Sequence, residues 1–343
     1  MMFAPILALL SFLLTTSAYP TNNDTSVVLS DSTNTLARRW YSVPEMRVTT
    51  GPWPVKTFDP VTGNHAPIVY CYEDAWEIGN FPPLVGQAFS KWRDAIDQSA
   101  LDFVPDPGCY GSLECGCATG FTQPDTLHII RSTDGQTKAV VGYEYDSNQD
   151  GRHTLKIGGY DPKNQESVPL YVLAIAHELG HVAGLAHEHQ RPDRDIDLRF
   201  DCSALVGYTE GITKVSQAMF DSVDNIPECR HLTPEKCMLQ VVCSSEHYVD
   251  TYMPSAFDYI TGDQIPTWDD FETGLFDPRS IMIYSSYVNS NDPTGQFPTG
   301  AVLIGLDGDR EFQIYTGGDS DPAAAGISDG DIERIKQLYP KGI

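Results

Sequence analysis

The side chains with most to offer chemically lie in residues 177–188, HELGHVAGLAHE. His177 and His181 are four positions apart, so on a helix their imidazoles leave one face a single turn apart and present two nitrogens to one metal ion. Glu178 stands beside them. A carboxylate there takes the proton of a metal-activated water and returns it to a leaving amine, while the metal polarises the scissile carbonyl. Gly184 suits the left-handed conformation that ends a helix, after which the chain turns back and delivers His187 as a third ligand. Three protein ligands leave the fourth position of a tetrahedral ion open to water, as a catalytic rather than a structural zinc site requires. HExxH alone also describes an amphipathic helix with two surface histidines. The longer order His, Glu, His, Gly, His, Glu makes a chance match rare.

Several elements must position these groups. An apolar run at 65–73 reads as a strand, and 84–96 (LVGQAFSKWRDAI), introduced by Pro82 and Pro83, reads as an amphipathic helix. Short strands are expected at LDFVP, TLHII, AVVGYEY and HTLKIGGY. The metal-site helix begins near Pro169 and is ended by Gly184; Val172, Ile175, Ala176, Leu179, Val182 and Ala183 give it a wide apolar face to lie against that sheet. Residues 200–265 read as irregular, and 266–320, rich in Gly, Pro, Asp and Ser, as loops. Near the end, Ser328 and Asp331 form a capping box with Asp in place of Glu, and Ile332, Ile335, Leu338 and Tyr339 give a closing helix its buried face.

Residues 177–195, HELGHVAGLAHEHQRPDRD, resemble the extended zinc signature of the astacin family of metzincin peptidases, including Glu188 and the continuation Arg191, Asp193, Arg194, Asp195. Residues 280–284, Ser-Ile-Met-Ile-Tyr, look like that family's Met-turn. The resemblance implies an α+β, zincin-like catalytic domain: a twisted, mostly parallel five-stranded sheet with the active-site helix, above a loop-rich C-terminal lobe ending in a helix. It implies one catalytic Zn2+ on His177, His181 and His187, Met282 as a hydrophobic floor beneath the metal, and Tyr284 as an added ligand that swings away to stabilise the transition state. It also implies that Glu188 anchors the amino terminus of the mature chain. Taken alone, Met282 and Tyr284 read as core residues. The chain departs from the family where Ile283 replaces the usual His, where 95 positions separate His187 from Met282, in its cysteine spacing, and in a prosegment without the usual inhibitory motif, which leaves Asp31 as the acid nearest that role.

Residues 1–18 carry an apolar run from Phe3 to Leu14 and end in small residues, the pattern of a secretory leader and too short for a spanning helix. Residues 19–39 form a polar stretch closing on Arg38 and Arg39, which reads as a propeptide cut after Arg39 by a dibasic-cutting convertase. The catalytic domain is then 40–343, with an upper lobe at about 40–184 and a lower lobe at about 185–343. Export makes the eight cysteines (71, 109, 115, 117, 202, 229, 237 and 243) disulfide candidates in two groups of four. With 22 Lys and Arg against 47 Asp and Glu, the net charge of −25 repels nucleic-acid phosphates and anionic membranes, so neither is an expected partner. Asp146 to Gly151 matches half an EF-hand loop, but Ile157 stands where a bidentate Glu is needed, so a hairpin turn is expected. The remaining histidines, His189 included, have no spacing that gives them a metal role.

The expected molecule is a secreted zinc metalloendopeptidase acting on proteins or peptides. Its rivals are a zinc-folded binding module, which has no use for Glu178, and a non-peptidase zinc hydrolase.

Overall fold

Gly63–Tyr72 is the longest run of extended chain, and three other segments pair along it. The computed structural model describes residues 41–42, 50–55, 57–59, 63–106, 116–117, 125–145, 149, 151–219, 242–261, 271–272, 275–315 and 326–342. Arg39 and Asp31, most of the EF-hand-like loop and four of the cysteines (109, 115, 229 and 237) lie outside them. The chain divides into two compact units, one built from 1–187, 269–283 and 316–343, the other from 188–268 and 284–315.

The first unit holds the sheet. Its strands are β1 (Thr57–Asp59), β2 (Gly63–Tyr72), β3 (Leu101–Pro105), β4 (Leu127–Arg131), β5 (Lys138–Ala139) and β6 (Thr154–Ile157). β2 pairs in parallel with β3 through Ala66 to Tyr70 and with β4 through Tyr70 to Tyr72; β6 runs parallel to β4, and β5 closes the edge antiparallel to β6. This is the expected, mostly parallel five-stranded sheet, with one addition: β1 folds back antiparallel on the first three residues of β2. Parallel neighbours need a crossover. Between β2 and β3 it holds three helices, Ala75–Asn80 and then α1 (Pro82–Lys91) and α2 (Arg93–Gln98), the last two where one helix was expected. The break falls at Trp92, whose indole Nε1 donates to Ala176 O at 2.8 Å, so one tertiary bond outweighs local helical periodicity. Ile68, Tyr72, Leu127, Ile129, Leu155 and Ile157 from the sheet join Leu84, Val85 and Trp92 in one buried core.

Against that core lies α3 (Val168–Val182), every residue of which from Tyr171 onward is buried. A helix buried on all sides must satisfy its terminal carbonyls within the protein. The last of them are all met: His181 O accepts from Gly142 N and Gly184 N, Val182 O from Trp53 Nε1 at 2.7 Å, and Ala183 O from Tyr339 Oη at 2.9 Å. Gly184 has φ +96, the left-handed exit expected of it. The closing helix α6 (Asp329–Leu338) starts on the expected capping box, the Ser328 hydroxyl accepting from Asp331 N and the Asp331 carboxylate from Ser328 N.

The second unit is more ordered than its composition suggests. Within the stretch expected to be irregular, α4 (Tyr208–Met219) and α5 (Glu246–Tyr252) form; α4 was hidden by Gly211, a residue that ordinarily weakens a helix. Here a Cβ on Gly211 would stand 3.0 Å from Tyr252 O and 3.1 Å from Met253 Sδ, so close packing requires the glycine. Within the expected loops, β8 (Leu303–Asp307) pairs with both β7 (Leu198–Phe200) and β9 (Arg310–Phe312). Gly308 and Asp309 make the two-residue turn between β8 and β9, a Gly-Asp hairpin signal that composition alone conceals. Among the described residues, two disulfides each tie one unit internally, Cys71–Cys117 in the first and Cys202–Cys243 in the second, each within one of the expected groups of four.

Candidate metal centre

α3 and the turn after it bring three histidines together. His177 and His181 project from adjacent turns, and the chain leaving Gly184 returns His187 so that its Nε2 is 3.2 Å from His177 Nε2 and 3.0 Å from His181 Nε2. All three are buried, and one nitrogen from each lies within 4.8 Å of the others. Their second nitrogens explain why. His177 Nδ1 donates to Ile281 O at 2.7 Å and His181 Nδ1 to Leu185 O at 2.8 Å, which leaves both Nε2 atoms as lone-pair acceptors. Burial pushes the pKa of His177 down to about 4, against the pull of the Ile281 carbonyl. Burial first, and the nearby His177, push His181 down to about 3. Both are neutral at physiological pH. His187 has one ring proton at most on its Nε2, so it cannot donate to both neighbours; a cation placed among the three satisfies all the lone pairs at once. The donor set therefore fits a divalent zinc ion, and Glu178, on the same helix, is fully buried with it.

The second motif supports this helix. Gly180 lies between the two helical histidines, and a Cβ there would meet Met282 Sδ at 2.4 Å and Trp92 Cζ2 at 3.1 Å, so Met282 packs directly on the metal-site helix. Ser280 and Ile281 are held by α6: Ser280 Oγ donates to Asp331 Oδ1 at 2.6 Å and Ile281 N to Asp331 Oδ2 at 2.9 Å. Burial first, and the charge of Asp277, push the Asp331 carboxyl up to about 6, while donors from Ser280, Ile281 and Ser328 pull it down.

In the second unit, Glu188 opens a short 3-10 turn and accepts from Arg191 Nη1 at 3.0 Å. Arg191, fully buried, also grips both carboxylate oxygens of Asp193 at 2.8 Å, a bidentate pair. Arg194 donates to the carbonyls of His189 and Tyr259. The motif continuation thus acts as a scaffold for the loop that follows the third ligand. Tyr284 is buried, with its ring 4.4 Å from that of His189. His189 carries more than its spacing suggested: Nε2 donates to Asp258 O at 2.9 Å, leaving Nδ1 to accept from Tyr284 N at 3.3 Å. Neither His189 nor Asp331 had a sequence signal for these contacts.

One other cluster of metal-ligating types occurs among the described residues, Cys71, Cys117 and His128, but its two sulfurs are bonded to each other.

Three converging imidazoles beside a buried glutamate on one helix form a donor set that fits zinc, in the HExxH arrangement. Comparison with known proteins finds similarity over part of the chain. The model of the peptidase family Astacin matches residues 169–224, the segment that holds His177, His181 and His187. Zinc metalloproteinase nas-12 of Caenorhabditis elegans is 29% identical over 131 residues, which is 38% of this chain and 29% of that protein, so the chain matches less than a third of its relative's length. Among solved structures, High choriolytic enzyme 1, a hatching enzyme zinc-protease from Oryzias latipes (Medaka fish), aligns over 84% of this chain and 94% of its own at 17% identity and a TM-score of 0.46. Myroilysin aligns over 88% and 100% at 14% identity and a TM-score of 0.43. No helix among the described residues is long and apolar enough to cross a membrane.

Proposed function

We propose that the chain is a zinc-dependent endopeptidase that cleaves peptide bonds in proteins. The observation that carries this reading is the convergence of three Nε2 atoms whose partner nitrogens, on His177 and His181, are committed to carbonyls. When bound, the ion supplies Lewis-acid polarisation of the scissile carbonyl and lowers the pKa of the attacking water. Glu178 takes the proton of that water and passes it to the leaving nitrogen; its full burial holds the carboxylate in one place. His177 and His181 stay neutral because burial disfavours their charged forms. By the astacin resemblance, Tyr284 offers its hydroxyl to the oxygen on which charge develops. The matched relative is named a zinc metalloproteinase, which supports the class.

The same reading extends to maturation. Residues 1–18 act as a leader for secretion, 19–39 are removed by a convertase cutting after Arg39, and 40–343 are the working enzyme, its new terminus held by Glu188. Glu188 already engages Arg191, so that terminus joins an existing ion-pair network. Metal analysis and a digest of unfolded protein test the function together. One zinc per chain, cleavage blocked by a chelator, and retention of zinc with at least a roughly 10²-fold loss of turnover in Glu178→Gln are expected. Normal proteolysis by that variant sinks the mechanism. Amino-terminal sequencing of the exported protein tests the cut; a start upstream of Trp40 excludes it.

A further inference from the structure

We propose that Asp331, on the closing helix, is a positioning residue for the metal ligand His177, acting through the backbone of the Met-turn. The inference rests on the metal reading above. His177 is oriented by one acceptor, the carbonyl of Ile281, and that carbonyl shares its peptide plane with the N–H of Met282. The Met282 N–H donates to Ser280 Oγ at 2.9 Å, and Ser280 Oγ donates in turn to Asp331 Oδ1 at 2.6 Å. The preceding peptide is tied to the same carboxylate, Ile281 N donating to Oδ2 at 2.9 Å. Two successive peptide planes are therefore pinned by one side chain, and the direction of the carbonyl that receives His177 is fixed by it.

The chain of donors also has a sense. From imidazole Nδ1–H to carbonyl, from peptide N–H to hydroxyl, and from hydroxyl to carboxylate, every bond points towards Asp331. Bonds aligned in this way polarise one another, so a negative charge at the far end enriches the imidazole and makes His177 Nε2 a better donor to a metal. All members are buried, where solvent does little to weaken the effect. Asp331 lies at position 331 and His177 at 177, so only the folded chain joins them.

Equilibrium zinc competition with a chromophoric chelator, alongside urea unfolding of the metal-free forms, tests this. Asp331→Ala is expected to weaken zinc binding roughly 10–100-fold, the range seen when partners of metal ligands are removed. Ser328→Ala is the control: it removes the other half of the capping box and so loosens the same helix start, yet leaves the bonds from Ser280 and Ile281 intact, and zinc binding should stay within about threefold of wild type. Asp331→Asn keeps an acceptor for both backbone N–H groups without the charge and should fall between. Equal weakening in Ser328→Ala and Asp331→Ala, or binding within threefold of wild type in Asp331→Ala, overturns the proposal. If Asp331→Ala does not fold, Ser280→Ala decides: it must weaken zinc more than Ser328→Ala, and equality again overturns the proposal. A wild-type chain that takes up no zinc refutes the metal reading itself, and this inference with it.

Discussion

A methyl group at Gly180 distinguishes tight packing of the Met-turn on α3 from any looser arrangement. In an exposed helix, Gly→Ala stabilises by about 1 kcal/mol, because glycine loses the most backbone freedom on folding. Gly86 in α1 is such a position, exposed and with nothing within 4 Å of an added Cβ. Gly180 is the opposite case: the Cβ would lie 2.4 Å from Met282 Sδ and 3.1 Å from Trp92 Cζ2. Met282 must retreat by about 1 Å to restore ordinary contact, and at 2% exposure it has core on all sides. Overpacking of this kind costs about 1–3 kcal/mol, against the gain of about 1 from the helix. Gly180→Ala should therefore lower metal-free stability by about 0–2 kcal/mol, while Gly86→Ala raises it by about 0.5–1. At about 2–4 °C per kcal/mol the two variants should separate by several degrees in thermal unfolding. A cycle with Met282→Ala sharpens the test. The methyl introduced by Gly180→Ala partly fills the space left by the thioether, so the double variant should be more stable than the sum of the singles by about 1 kcal/mol or more. Gly180→Ala behaving like Gly86→Ala, or strict additivity in the cycle, refutes the contact between the Met-turn and the metal-site helix.

Tyr284→Phe should lower kcat more than it raises KM, since the hydroxyl is assigned work in the transition state; an unchanged kcat leaves Tyr284 a packing residue held by His189. His153 is 1% exposed and accepts from Glu144 N; burial first, and the charge of Arg152, push its pKa down to about 3. The unfolded chain therefore takes up the proton first, so the stability due to neutral His153 is present above about pH 6.5 and is lost as pH falls towards 3. Relative to His153→Gln, the wild type should lose about 1.4 kcal/mol per pH unit over roughly pH 4–6 in urea titrations, and parallel curves would refute the burial argument. Asp331 moves the other way. Its folded pKa of about 6 lies above the unfolded value, so its contribution is present below about pH 4 and is lost as pH rises through 6. Asp331→Asn should flatten that part of the profile, and an unchanged slope would mean that the carboxylate stays ionised throughout.

What could be read in the sequence was local chemistry and local period. The three histidines that converge and Glu178 beside them declare themselves by spacing, α3 by its apolar residues and Gly184, and α6 by Ser328 and Asp331. Parallel strands were visible as short apolar runs bounded by turns. Five features lay beyond that reach. The break at Trp92 and the glycine inside α4 are decided by partners distant in the chain, Ala176 and Met253 among them. The Gly-Asp turn before β9 is masked by the loop-like composition around it. His189 and Asp331 gain their contacts across 95 and 50 positions respectively, and no pattern in one sequence encodes such a meeting.

The capping of α3 sets a timetable for the protein's birth. Ala183 O, four residues before the third histidine, receives its hydrogen bond from Tyr339, whose hydroxyl also accepts from Trp53 N. Between His187 and Tyr339 lie 339 − 187 = 152 positions. At about 5–20 residues per second, roughly 8–30 s of synthesis pass after the last imidazole emerges before that hydroxyl arrives to finish the helix end. Until that hydroxyl arrives, the turn that returns His187 towards His177 and His181 lacks one of the bonds that close it in the finished fold.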